Sequence, residues 1–504
     1  MQRKQFIKLT GATSAFTMSG GAAWLLQSCN GQNKNDMPAN DIKIIESDFT
    51  GALPSPPLMD LAAGEFAATA SSAEILKGKK TEVYGYYEGI LGKTIVLNKG
   101  DKLNLNFKNN LPQPTNVHWH GLIAPPDMDG FPDFLIQPNN SFRYEFTVDQ
   151  RAGTYWYHPH PHYLTAQQVV KGLAGFFIVT DEEEKALNLP SGENETAFVI
   201  QDKRFDAQGN FIYSPTDEEL MTGYFADHII VNGAYNPYKK LNAAWNRMRI
   251  INGSTARVYN LAFSNGQEYH VIGSDAGLMA VPETVKNILL SPGERIDLLV
   301  DFTSSENKEI FLRSETFTGG GAQGGQTFNI MKFKIGVKSS QPFTLPQKLS
   351  SVIKIDPSTA TKTRTFDISN AGVEKKMKQE NNKSGEMKNR KMNMHTINGQ
   401  SFEEKTISET VNAGATEIWE FDNSKGDEIH PMHIHGVHFQ LLERTGGRNK
   451  LTAIEKGWKD TVMLMPGEKL RTIMTFPVFK GKRVVHCHNL EHEESGMMLG
   501  FETV

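Results

Sequence analysis

Pro138-Asn139-Asn140-Ser141-Phe142-Arg143-Tyr144-Glu145-Phe146, Pro292-Gly293-Glu294-Arg295-Ile296-Asp297-Leu298-Leu299-Val300 and Pro466-Gly467-Glu468-Lys469-Leu470-Arg471-Thr472-Ile473-Met474 read as one unit written three times. In each, a proline-led turn runs into a strand-like segment. The same strand period, apolar alternating with polar, appears at Leu103, Leu105 and Phe107 and at Phe142, Tyr144, Phe146 and Val148. Turn signals such as Asn232-Gly233 and Asn252-Gly253 separate such segments, and no long helical periodicity competes with them. The expected class is therefore all-β, with sandwich modules in three consecutive copies. Twenty residues beyond each proline, counted without gaps, stand His158, Leu312 and His486. Copies one and three thus carry His-x-His at that place, and copy two carries Leu312-Arg313-Ser314.

The bounds agree with three modules. At 504 residues the chain is too long for one hydrophobic core. Its 44 glycines and 23 prolines suit a turn-rich β protein. A net charge of -4 points away from nucleic acid and anionic membrane surfaces as partners. The two cysteines, Cys29 and Cys487, each sit in a motif that uses one cysteine, so no disulfide is expected between them.

The N-terminus reads as a processing segment. Arg3, Lys4 and Lys8 precede a weakly apolar stretch, Leu9 to Leu26, that is too short and too polar to span a bilayer. Arg3-Lys4-Gln5-Phe6-Ile7-Lys8 resembles a twin-arginine export signal with lysine at the second arginine, which leaves twin-arginine and general export both open. Leu26-Gln27-Ser28-Cys29 resembles a lipoprotein cleavage box, making Cys29 the lipidation candidate, with the polar run Asn30 to Asn40 as its tether. The expected location is exported, in the periplasm or cell envelope, with possible membrane attachment through Cys29.

Ten of the 15 histidines fall in four clusters: His118-Trp119-His120, His158-Pro159-His160, His430-Pro431-Met432-His433-Ile434-His435, and His486-Cys487-His488 with His492. On a strand, residues i and i+2 point to one face. Each His-x-His therefore aims two imidazoles at one place, and four pairs supply eight. Cys487, between two of them, must point to the opposite face and serve a different metal. One segment of chain then joins two metal centres, as an electron relay requires. Cys487, His430, His492 and Met497 form the thiolate, two-imidazole, thioether set of a blue-copper site, whereas structural zinc takes four firm ligands. The eight imidazoles suit a copper cluster able to bind dioxygen.

With its ending His486-Cys487-His488-Asn489-Leu490-Glu491-His492-Glu493-Glu494-Ser495-Gly496-Met497-Met498 and the three other histidine clusters, the chain resembles the three-domain bacterial multicopper oxidases, a group including copper efflux oxidases and laccases. The resemblance covers about residues 45 to 504. It implies three cupredoxin-like Greek-key β-sandwich domains at 46–183, 184–345 and 346–504, after a signal and tether over 1–45. It implies four copper ions. Type 1 copper falls to His430, Cys487, His492 and Met497, and type 2 to His118 and His433. The type 3 pair falls to His120, His158, His160, His435, His486 and His488. It also places Asp129 near the cluster as a supporting acid and Glu493 as a proton-donating acid; these are the two catalytic candidates.

The remaining histidines are expected to bind no metal: His162 lies beyond the pattern, His438 packs beside its cluster, His270 is packed or on the surface, and His228 and His395 are on the surface. Trp119 is expected in a core. Ser339 to Thr365 reads as the linker into copy three. The resemblance implies dioxygen as the electron acceptor, and the expected donor is cuprous ion or a small phenolic or aromatic reductant. Met377, Met387, Met392 and Met394, in the Lys/Met-rich segment 375–394, lie where efflux oxidases carry a methionine-rich insert, and Asp427 and Glu428 stand ahead of His430 where they can guide a cation or a phenol. Such an enzyme is expected to be monomeric. The reading from another class is a copper-binding envelope scaffold without turnover, which predicts missing ligands; all twelve are present.

Overall fold

A computed structural model describes residues 42–338, 342–370, 394–403 and 406–504. Cys29, Met377, Met387 and Met392 lie outside them. Six sheets pack in pairs as three sandwiches. The first joins the sheet of Glu65–Ala73, Thr81–Gly85, Lys102–Asn110 and Ser141–Thr147 to that of Ile95–Asn98, His118–His120, Gly153–His158 and Gly175–Thr180. The second pairs a six-stranded with a seven-stranded sheet, and the third a four-stranded with a five-stranded one. Each sandwich mixes a parallel pair in either sheet with antiparallel neighbours. These are Glu65–Ala73 with Lys102–Asn110 and Ile95–Asn98 with Gly175–Thr180, then Glu195–Lys203 with Trp245–Asn252 and Pro237–Ala243 with Phe328–Lys338, then Lys362–Asp367 with Thr416–Asp422 and Glu409–Val411 with Met498–Thr503. The six-stranded sheet has a second parallel pair where Gly51–Ala52 joins Pro237–Ala243. The repetition read in the sequence is thus a repetition of topology.

The turn explains the shared signature. In all three copies the residue after proline has positive φ: Asn139 at 66°, Gly293 at 83° and Gly467 at 79°. Backbone hydrogen bonds close the turns, from Asn140 N to Gln137 O (3.0 Å), Glu294 N to Ser291 O (3.1 Å) and Glu468 N to Met465 O (3.3 Å). Proline presets the first central residue, and Gly or Asn tolerates the left-handed second one. A strand follows at the third residue in every copy: Ser141–Thr147, Arg295–Asp301 and Lys469–Thr475. The next strand, Gly153–His158, Glu309–Ser314 or Gly481–Cys487, crosses to the opposing sheet.

Alternation sets the cores. Leu103, Leu105 and Phe107 are fully buried while Lys102, Asn104 and Lys108 are not, and each buried side chain contributes on the order of 1.5–3 kcal/mol. Trp119 lies in the first core, as expected. The ungapped count, in contrast, misleads in copy two. Ile310 and Leu312 face the second core, whereas Tyr155 and Tyr157, and Val485 and Cys487, face theirs. Leu312 therefore points the opposite way from His158 and His486; the outward positions are Phe311 and Arg313. Two further features were not read from the sequence. Gly51–Ala52 pairs with Pro237–Ala243, so the chain crosses the second sandwich before building the first. The expected linker through Thr365 ends early, because a strand runs from Lys362 to Asp367. Among the described residues no helix is long and apolar enough to cross a membrane.

Candidate metal centre

Strand register brings the predicted ligands together. His118–His120 pairs antiparallel with Gly153–His158, placing His118 opposite His158. His430–Ile434 pairs with Gly481–Cys487, placing His433 opposite His486 and Met432 opposite Cys487. Side chains alternate along a strand, so His433, His435 and His486 share one face while His430, Met432 and Cys487 share the other. The first face, with His488 just beyond the strand's end, meets His118, His120, His158 and His160 of the first sandwich, and all eight imidazoles are buried.

Hydrogen bonds fix which ring nitrogen looks inward. His118 Nδ1 donates to the Asp129 carbonyl (2.8 Å), His158 Nδ1 to Pro159 O (2.9 Å), His433 Nδ1 to Asp460 O (2.8 Å), His435 Nδ1 to Asp129 Oδ2 (2.9 Å) and His486 Nδ1 to Cys487 O (3.0 Å). A neutral imidazole with its proton on Nδ1 carries a lone pair on Nε2. These Nε2 atoms converge. His118 faces His433 at 3.4 Å, and His486 faces His160 and His435, each at 3.2 Å. Burial holds His160 and His486 down to about 3 and His433 to about 4, so the rings are neutral at ordinary pH. Lone pairs crowded together without protons between them fit a cation cluster. His120 is reversed: its Nε2 donates to Asp460 Oδ1 (3.1 Å), while Nδ1 faces His158 Nε2 at 3.3 Å.

On the opposite face, Cys487 Sγ lies 3.7 Å from His430 Nδ1 and 3.6 Å from His492 Nδ1, and those nitrogens are 3.2 Å apart. Met497 is buried in the same core and its carbonyl accepts from Cys487 N (3.0 Å). His492 rides on the Leu490–Glu494 helix, whose first turn is capped by the Asn489 side chain. Its Nε2 donates to Met221 O (2.8 Å), leaving Nδ1 for a metal. Burial raises the Cys487 thiol well above its usual range, so a cation must displace the proton. One residue of backbone separates this group from the imidazole cluster.

Both predicted acids lie against the cluster. Glu493, fully buried, places Oε2 3.0 Å from His486 Nδ1 and Oε1 3.6 Å from His160 Nδ1, and burial raises its pKa. Asp129 accepts from His435 through its side chain and from His118 through its backbone.

His395 corrects an expectation. Rather than on the surface, it is buried with its ring stacked 4.0 Å from that of His492, and its Nε2 lies 3.2 Å from Glu428 Oε2. The segment before it has no periodicity from which this could be read. His228 is also partly covered, between Phe205 and Tyr235, and its Nδ1 pairs with Asp227 (2.7 Å). His438 donates to Gly121 O (2.7 Å), a packing role, and His270 stacks on Trp245 beside Thr284. His162 is buried and stacks on Tyr163. Met394 is buried. Missed altogether were Asp460 and Thr461, both within 3.1 Å of His120 Nε2, and Trp156, whose ring centre lies 4.3 Å from that of His158. No motif marks them; only the distance between strands does.

Comparison with known proteins agrees with this geometry. Two family models, both described as multicopper oxidase, match residues 67–184 and 372–504. The chain is 34% identical over 437 residues to the multicopper oxidase mco of Staphylococcus epidermidis, covering 86% of each. It is 30% identical over 475 residues to the cell division protein FtsP of Shigella dysenteriae, covering 92% of this chain and 90% of that one. The crystal structure of the multicopper oxidase McoA from Aquifex aeolicus superimposes with a TM-score of 0.79 at 34% identity, covering 90% of this chain and 99% of that one.

Proposed function

Since this chain belongs to the multicopper oxidase family, we propose that it takes four electrons singly from a reducing substrate and delivers them to dioxygen, forming water. The observation that carries this reading is the Gly481–Cys487 strand, which presents Cys487 to one ligand group and His486 to the other. Type 1 copper is assigned to Cys487, His430, His492 and Met497. Type 2 copper is assigned to His118 and His433. The type 3 pair is assigned to His120, His158, His160, His435, His486 and His488, for four ions in all. When bound, these ions supply one-electron redox steps and a place for dioxygen.

The chain's own residues do the rest. His492 is fully buried under the Met221 carbonyl, so a reductant passes electrons across that cover rather than by touching the imidazole. The Cys487 peptide carries them on to His486 and His488. Each dioxygen consumes four protons, and Glu493, beside His160 and His486, is placed to hold and pass them. Asp129 holds His118 and His435 in their inward tautomers.

The reductant class is cuprous ion, small phenols or both. Glu428, 3.7 Å from His492 Nε2, favours a cation. Export, with Cys29 lipidated, completes the reading; Cys29→Ala should move the protein from the membrane to the soluble exported fraction. Oxygen uptake by copper-loaded protein, with cuprous ion and separately with a phenol, tests the function. No uptake with either, at full copper content, would leave the scaffold reading suggested by the FtsP likeness.

A further inference from the structure

The second sandwich supplies no copper ligand, yet its proline-led turn reaches the cluster. The turn Pro292-Gly293-Glu294-Arg295 presses Gly293 against His488: a Cβ there would lie 2.8 Å from the imidazole Cδ2. Arg295 follows and is fully buried, and all five guanidinium N–H groups are placed. Nε donates to Thr154 O (3.1 Å), Nη1 to Gly293 O (3.0 Å) and Asp460 Oδ1 (2.7 Å), and Nη2 to Asp275 O (2.8 Å) and Asp460 Oδ2 (2.5 Å). Asp275 closes the frame, accepting from Arg295 N (2.8 Å) and Thr461 N (3.2 Å) while Lys459 Nζ lies 2.9 Å from its Oδ2.

The carboxylate so held faces the ligands. Asp460 Oδ1 accepts from His120 Nε2 (3.1 Å) and from Thr461 Oγ1 (2.9 Å), and the Asp460 carbonyl accepts from His433 Nδ1 (2.8 Å). The His120 and His433 rings stack 3.8 Å apart at 12°. Among the cluster histidines whose orientation is fixed by a hydrogen bond to oxygen, His120 alone turns Nδ1 inward, and Asp460 is the charged acceptor on its Nε2. An uncompensated carboxylate buried here would be costly, and only a bidentate cation gives it a fixed plane.

We propose that Arg295 is a positioning residue for the trinuclear group: through Asp460 it locks His120 in its inverted tautomer and sets the angle of His433, so the sandwich without ligands orients the ligands of the other two. This rests on the copper assignment above. If that assignment is wrong, the unaltered protein lacks the blue band altogether; the present idea is tested only by how variants differ from a blue parent.

The experiment uses copper-loaded full-length protein with Arg295→Lys, which keeps the charge but not the two-pronged geometry, and Thr461→Val, which removes the hydroxyl between Asp460 and His433. Copper per chain, blue absorption, the type 2 resonance and the two half-reactions are measured. The expected result is an unchanged blue band and unchanged reduction of type 1 copper, an altered type 2 resonance, and reoxidation by dioxygen slowed at least about tenfold in Arg295→Lys and less in Thr461→Val. If Arg295→Met is also soluble, it should lose trinuclear copper while keeping type 1 copper. Type 2 resonances and reoxidation rates matching the parent in both variants overturn the proposal. So does parallel loss of both centres in Arg295→Lys, since that signals a merely structural residue.

Discussion

The outer sandwiches and the middle one begin their key strands from the same turn and then use them oppositely. In copies one and three the crossing strand turns His158 or His486 outward, toward the other sandwich, and keeps Tyr157 or Val485 in its own core. In copy two Leu312 turns inward, and the outward positions meet no histidine: Phe311 packs edge-on against Phe49 and Arg313 pairs with Glu315. A metal centre of this kind needs two outward faces that meet, so histidines on one sandwich alone would not make one. Copy two contributes through its turn instead, by Gly293 and Arg295.

Four experiments press on that contrast. Cys487→Ser should have the largest effect, abolishing the blue absorption and lowering turnover at least roughly a thousandfold while the type 2 resonance persists; a retained blue band would refute the two-face assignment. Next, Leu312→His should destabilise the protein by about 2–5 kcal/mol in denaturant unfolding without adding copper, because it buries a polar ring in a packed core. Arg313→His, at the outward position, should cost less than about 1 kcal/mol and also add no copper. Equal costs would mean the inward and outward assignments are wrong. Glu493→Gln should leave reduction of type 1 copper intact and slow reoxidation by dioxygen about ten- to a hundredfold; slowed reduction with normal reoxidation would move Glu493 to the substrate side.

The smallest effect is one of pH on copper-free protein. Burial holds His160, His430 and His486 at about 3 and His433 at about 4, against about 6.5 when unfolded. Between about pH 6.5 and 4 the unfolded chain binds protons that the folded one does not, so stability falls as pH falls through that window. Thermal unfolding from pH 8 to 4 should show it, and the copper-loaded protein should fall at least as steeply, because bound copper would keep the same rings and the Cys487 sulfur free of protons. Burial raises Glu491 and Glu494 to about 8, which acts in the opposite sense, so a flat copper-free profile in a Glu491→Gln/Glu494→Gln background would mean these rings are not held neutral.

Much of this was legible in the sequence because strand periodicity and His-x-His spacing are local. The three turns, the alternating cores and each His-x-His pair followed from residues two to twenty positions apart, while the grouping of distant pairs into one cluster came from the family resemblance. What the sequence hid depends on distance across sheets. The inversion at Leu312 arises because the crossing strand in copy two enters with the opposite face inward, and an ungapped count cannot sense that. Asp460 and Arg295 are 165 positions apart and meet only after folding. His395 follows a segment with no period, so nothing local told that it would stack on His492.

The pairing of His118 with His433, and of His160 with His486, also orders events in time. The first sandwich leaves the ribosome with four of the eight imidazoles and nothing to face them. The strand carrying His486 and Cys487 is made only after the second sandwich, His486 lying 326 positions beyond His160. Complete copper loading therefore waits until that strand has been made, and a shorter nascent chain offers the cell only half-sites. The finished protein, rather than the growing one, is what a copper donor has to meet.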